Sequence, residues 1–121
     1  MKLNLLLVVI DPGRPTQPAL ERATWLARKS GATLELLVCE YHGVLEGASL
    51  LDPHARELAR ERLLQERQAW LKELARPLRE EGLQVQTAVR WGKPLHQEVL
   101  ARCEELQPDM LFKAASDHGP L

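Results

Sequence analysis

LNLLLVVIDPGRPTQP, residues Leu3–Pro18, sets an unbroken apolar run against an abrupt stop at Asp11-Pro12-Gly13. Leu5 to Ile10 are all apolar, with no polar alternation. A strand with one wet face alternates, so this run reads as a strand buried on both faces, in the middle of a parallel sheet. Asp11 then stands at the carboxyl end of that strand, where open α/β sheets bind ligands. The plain alternative is that Asp11 only closes the turn, a common use of Asp.

Working outward, strand one covers about Asn4–Ile10, and helix one runs from Gln17 or Pro18 to Ser30. Thr16 is the expected N-cap, with Pro18 in the first turn, where its missing N–H costs little. Ala19, Ala23, Leu26, Ala27 and Ser30 share one face, and their small side chains allow close approach to a sheet. Gly31 suits the helix end. Strand two, Thr33–Glu40, is mainly apolar with Glu35 near its start, so strand, helix and strand form a parallel βαβ unit. The looser segment Tyr41–Leu51 precedes Asp52-Pro53, an N-cap and first helical residue for a long helix reaching about Glu81. Leu64, Leu71 and Leu78, widened by Trp70 and Leu74, give that helix an apolar stripe. The repeat is too brief for a coiled coil and fits a surface helix on a sheet. Pro77 is placed to kink its last turn, and Gly82 ends it. Strand three, Gln84–Arg90, alternates and therefore reads as an edge strand. Helix three covers about Pro94–Leu106 on a buried stripe of Leu95, Val99, Cys103 and Leu106. Strand four is Met110–Ala114, and the residues from Ser116 onward read as loop.

The order is β-α-β-α-β-α-β, a doubly wound parallel α/β sheet in one domain over residues 1–121. The 121 residues carry sixteen Lys and Arg against seventeen Asp and Glu, interleaved rather than clustered. No basic face for nucleic acid is expected, and 4% aromatic residues are too few for an RNA-stacking surface. Trp25, Trp70 and Trp91 read as packing or interface anchors. No apolar run is long enough to span a bilayer. With Cys39 and Cys103 as reduced thiols, the expected compartment is the cytoplasm. His42, His54, His96 and His118 have no zinc-ligand spacing. No G-x-S-x-G accompanies Asp11, His42 and Ser116, so no hydrolase triad is expected.

The elements in this order resemble the universal stress protein family over almost the whole chain. The resemblance rests on VVIDP at Val8–Pro12, PALERATWLAR at Pro18–Arg28, LELLVCE at Leu34–Glu40, VRWGKP at Val89–Pro94 and LQPDMLFKAA at Leu106–Ala115. The details are most similar to the N-terminal half of the tandem, UspE-type members. The resemblance implies a flavodoxin- or Rossmann-like sheet of the adenine nucleotide alpha hydrolase kind, ordered 3-2-1-4-5 with strand one central. It also implies that this chain is truncated before the family's last helix and strand five, leaving the order 3-2-1-4. Many members form their dimer contact through strand five.

The resemblance further implies ligand contacts at Asp11 and Pro12 after strand one, at Val38 and Cys39 at the end of strand two, and at Lys113 and Ala114 after strand four. Family members that bind ATP cradle its phosphates on a loop patterned G-x-x-G, where glycine lets backbone N–H groups approach the oxygens. Here that loop reads Ala114-Ala115-Ser116-Asp117. Alanine replaces the first glycine, and a carboxylate replaces the second, repelling phosphate. The expectation is a non-catalytic stress-response domain without a cofactor, ATP included, acting as a binding or assembly module. Its expected partner is a second domain of the same family or another copy of itself, a dimer, with neither nucleic acid nor membrane. The alternative is a sensor of a nucleotide or an amphiphilic small molecule, in the crevice at the carboxyl ends of strands one and four. Lys113 is expected beside Asp11, either as an ion pair or as part of an anion site. Cys39 is expected to be a small core residue, with no cation nearby to activate it, and Cys103 to lie in the core.

Overall fold

Leu5–Val9 forms β1, and Leu6, Leu7 and Val8 within it are wholly buried. The computed structural model describes residues 2–41 and 52–114. After β1 come α1 (Pro18–Ser30), β2 (Thr33–Glu40), α2 (Pro53–Glu80), β3 (Val85–Trp91), α3 (Leu95–Leu106) and β4 (Met110–Lys113). The four strands are parallel in the order β3-β2-β1-β4, so the apolar run is an interior strand and the alternating one is at an edge. At the carboxyl end of β1, Val9 stands between Leu37 of β2 and Lys113 of β4.

Successive β1 side chains point to opposite faces, and each face has its own core. Leu6, Val8 and Ile10 join Ala23 and Ala27 of α1, Leu34 and Leu36 of β2, and Leu71 and Ala75 of α2. Leu7 joins Leu37 of β2 and Val99 of α3, with Cys103 and Leu106 of α3 packed against them. The small residues Ala19, Ala23 and Ala27 let α1 lie close on the sheet. α2 is the expected surface helix, with Trp70, Leu74 and Leu78 packed beside its buried Leu71. Asp52 caps it by accepting a bond from the Ala55 amide at 2.7 Å. Gly31 ends α1 with φ +76°, a left-handed conformation that favours glycine.

Several local expectations are corrected. Gln17, not Thr16, occupies the N-cap position of α1, and it makes no side-chain cap bond. Its amide turns back to Asp11 instead, with Nε2 donating to the Asp11 carbonyl at 2.6 Å and Oε1 accepting from the Asp11 N–H at 3.1 Å. A long side chain that reaches six residues back satisfies the turn better than a threonine could. Leu95 is 48% exposed rather than part of the buried stripe. It is the first residue of α3, where the chain has not yet turned onto the sheet. Ser30 is exposed and bonds the Leu26 carbonyl, and Trp25 is exposed beneath the Lys29 ammonium, so of the two roles expected for it, packing or interface anchor, the packing one does not hold. Cys103 is half-buried at the margin of the α3 core, so it is not fully interior.

Candidate functional site

The turn after β1 is built by Asp11 from both its backbone and its side chain. The carbonyl of Asp11 accepts from the Arg14 N–H at 3.1 Å. Oδ1 accepts from the Gly13 N–H at 2.9 Å, and Oδ2 meets Arg14 Nε at 3.3 Å. Each carboxylate oxygen is therefore engaged within its own turn. This corrects the expected partner: Arg14, three residues on, closes on Asp11. Lys113 is exposed at the end of β4, in register with Val9 and not with Asp11.

Lys113 and Ala114 instead share an open cleft of about 420 Å³ with Arg14, Arg22 and Phe112, along the flank between α1 and β4. Val38 is wholly buried in the core under α1 and α2, so only its backbone faces the carboxyl end of the sheet. Cys39 points to the opposite face, beside the α3 core. β1 separates both from β4, a span of roughly 10 Å across two strand spacings. The structure thus brings Lys113 and Ala114 together and leaves Val38 and Cys39 apart from them. Pro12 is half-buried beside Asp11. His42 and Ser116, the apolar part of the Tyr41–Leu51 segment, and Ala115–Asp117 of the expected phosphate loop lie outside the described residues.

Cys39 does have a cation nearby, contrary to the sequence reading, because Arg90 lies close enough to favour its thiolate. Burial and the carboxylates of Glu98 and Glu40 outweigh that cation and push the thiol up to about 11. A thiol held that high is protonated at neutral pH and is a poor nucleophile. Among the described residues, no group of three His, Cys, Asp or Glu side chains could hold a metal. No helix among them is long and apolar enough to cross a membrane.

The ion pairs beneath α3 are what sequence reading missed. Glu35, 2% exposed on β2, takes a two-pronged bond from Arg102 of α3 at 2.7 and 2.9 Å. Glu105 bonds both Arg102 and Arg90, and Arg90 also reaches Glu98 at 3.1 Å. A side chain on Gly92 would collide with Glu98, so the glycine leaves room for that carboxylate. The one available signal was Glu35 itself, a charge inside an otherwise apolar strand, which has to be paired when buried.

A family model described as the universal stress protein family matches residues 4–121. Universal stress protein E of Salmonella typhi is 33% identical over 120 residues, covering 96% of this chain and 37% of that protein. The chain therefore spans little more than a third of the length of such relatives. A functionally unknown protein from Pseudomonas aeruginosa PAO1 superposes with a TM-score of 0.64 at 30% identity, over 90% of this chain and 31% of that one. Universal stress protein UspA from Lactobacillus plantarum shares the fold, with a TM-score of 0.66 at 19% identity over 96% of this chain and 79% of that one.

Proposed function

Because the chain belongs to the universal stress protein family, we propose that it is a non-catalytic stress-response domain that has lost the family's way of binding ATP. It works as a binding and assembly module, and its partner is a second domain of the same kind or another copy of itself. The observation that carries this reading is the self-satisfied carboxylate of Asp11, closed on the Gly13 amide and the Arg14 guanidinium. A nucleoside contacting Asp11 would have to share its carboxylate with those two bonds of the turn. Ala114 adds a Cβ where a phosphate cradle needs bare backbone, so the residues present do not fit ATP. The protonated thiol of Cys39 supports the absence of nucleophilic chemistry.

Isothermal titration with ATP and Mg²⁺ tests the reading. It predicts no saturable heat, and micromolar binding to this chain would sink it. The cleft beside Lys113 favours a second reading, a sensor of a nucleotide or amphiphilic small molecule, because Arg14, Arg22 and Lys113 line it together with Phe112. Native mass spectrometry of the purified chain separates the two: a retained small molecule favours the sensor, and the bare chain mass favours the assembly module.

A further inference from the structure

Trp25 is the one tryptophan to which the fold gives no packing role. Trp70 packs against the core, and Trp91 meets Tyr41 and the Arg60 guanidinium. Trp25 stands 60% exposed on the outer face of α1. The helix puts it there because Ala19, Leu20, Ala23, Thr24 and Ala27 take the opposite face to the sheet. Exposed Arg22 and Lys29 lie three residues before it and four after, so the three side chains run in one line at helical spacing. Exposed Pro18, four before Arg22, continues the line to the first turn.

The charges along this line are unanswered. Among the described residues neither Arg22 nor Lys29 has an ion-pair partner, and the Lys29 ammonium rests 5.5 Å from the centre of the indole. Arg28, by contrast, is held by both carboxylate oxygens of Glu81 at the end of α2. Glu21, the sole acidic residue of α1, comes seven residues before Arg28 and so shares that flank rather than the line. The whole chain carries a net charge of -1, so the positive stripe is a local feature and not a reflection of overall charge. An ammonium over an indole face also holds the ring in place before anything binds, which lowers the ordering cost of burying it.

We infer that this stripe docks an acidic helix of another protein, with Trp25 buried at the centre of the contact and Arg22 and Lys29 each meeting a carboxylate. Tryptophan and arginine are enriched among the residues that carry interface energy. Arg22 and Lys29 are seven residues apart, roughly 10 Å along the helix axis. A second helix matches that stripe with carboxylates seven positions apart around an apolar residue, because packed helices meet through the same three- and four-residue rows. In an extended strand, residues roughly 10 Å apart are about three positions apart and point to opposite faces. Two cations beside Glu21 are too few to follow a phosphate backbone. The contact uses neither edge of the sheet, so it goes beyond the assembly proposed above and does not rest on it.

Fluorescence anisotropy with a defined probe tests this. The probe is a fluorescein-labelled, alanine-rich helical peptide with a central leucine and glutamates three residues before it and four after; a second peptide carries lysines in their place. The glutamate peptide is expected to bind the chain with a dissociation constant of roughly 100 µM, weakening severalfold between about 50 and about 300 mM salt. Trp25→Ala and Arg22→Glu are each expected to weaken it at least about tenfold, roughly 1.4 kcal/mol. The urea midpoint of either variant should stay within about 0.3 M of wild type, because both side chains are exposed. In the isotope-labelled chain the Trp25 indole N–H signal should move with added peptide while those of Trp70 and Trp91 stay. No binding of the glutamate peptide up to about 1 mM, equal binding of the lysine peptide, or affinity indifferent to both substitutions overturns the docking site. So does tighter binding of a short DNA duplex, which would make the stripe a phosphate surface. A Trp25 signal that moves with the concentration of the chain alone overturns it too, by making the stripe a contact between copies.

Discussion

Replacing Arg102 with methionine should be among the most destabilising single changes available in this chain. Glu35 sits on the α3 face of β2, beside Leu7, and is 2% exposed. Its carboxylate oxygens are both held by Arg102, through Nε at 2.7 Å and Nη2 at 2.9 Å. Removing one partner of a buried pair typically costs about 3–5 kcal/mol, because the other charge stays buried and uncompensated. Here a quarter of the Arg102 side chain is exposed, so water reaches the pair and the lower end applies, about 3 kcal/mol. With a urea slope of roughly 2 kcal/mol per molar for a small domain, the unfolding midpoint should fall by about 1.5 M. The double variant Glu35→Leu/Arg102→Met removes the orphaned charge and should recover most of that loss, since a buried pair gains little over apolar residues of similar size. Urea titrations followed by circular dichroism on the wild type, both single variants and the double variant give the coupling energy directly. A loss under about 1 kcal/mol for Arg102→Met, or a double variant as damaged as the sum of the singles, would show that the pair is not what anchors α3 to the sheet.

Three further outcomes follow from the same physics. Cys39, whose thiol is pushed up to about 11 by burial and by Glu98, should react with iodoacetamide slowly at pH 8, its rate still climbing above pH 10; a plateau by pH 9 would contradict the placement. The Leu5 and Asn4 amides hold the Asp109 carboxyl below its ordinary range. Its contribution is therefore complete above the unfolded value near 4 and lost as pH falls through the lowered folded value. Asp109→Ala should be less stable than wild type at pH 7, and the gap should close in acid denaturation curves below about pH 3. Thr24 buries a hydroxyl with no partner among the described residues, so Thr24→Val, of nearly the same shape, should raise stability by about 1 kcal/mol in thermal melts, and a loss of that size would mean the hydroxyl is satisfied.

The parts of the fold that depend on neighbours in sequence were legible. Leu5–Ile10 announced an interior strand because every position in it is apolar, and β3 announced an edge by alternating. Asp52-Pro53 and Gly31 marked helix ends through side-chain and backbone preferences that act over a few residues. What stayed hidden depends on which elements meet. Glu35 and Arg102 are 67 positions apart, and no periodicity joins them. Gln17 was read only as one of two possible starts of helix one, yet its amide serves the turn six residues earlier. The partner of Asp11 was sought across the sheet at Lys113, although Arg14 was nearer along the chain and the β4 register sets Lys113 beside Val9. Cys39 seemed to lack a cation because Arg90 reaches it only through the pairing of β2 with β3.

The measurement closest to the central claim is an amide NMR titration of the isotope-labelled chain with ATP and Mg²⁺. The Asp11, Gly13 and Arg14 amides report on the closed turn, and the Lys113 and Ala114 amides on the end of β4. At about 1 mM nucleotide, where a site worth about 4 kcal/mol is half filled, all five signals should stay in place. Saturable movement of the Gly13 and Ala114 signals together, at micromolar nucleotide, would mean that Asp11 opens to a nucleoside and that the family's site survives in this chain.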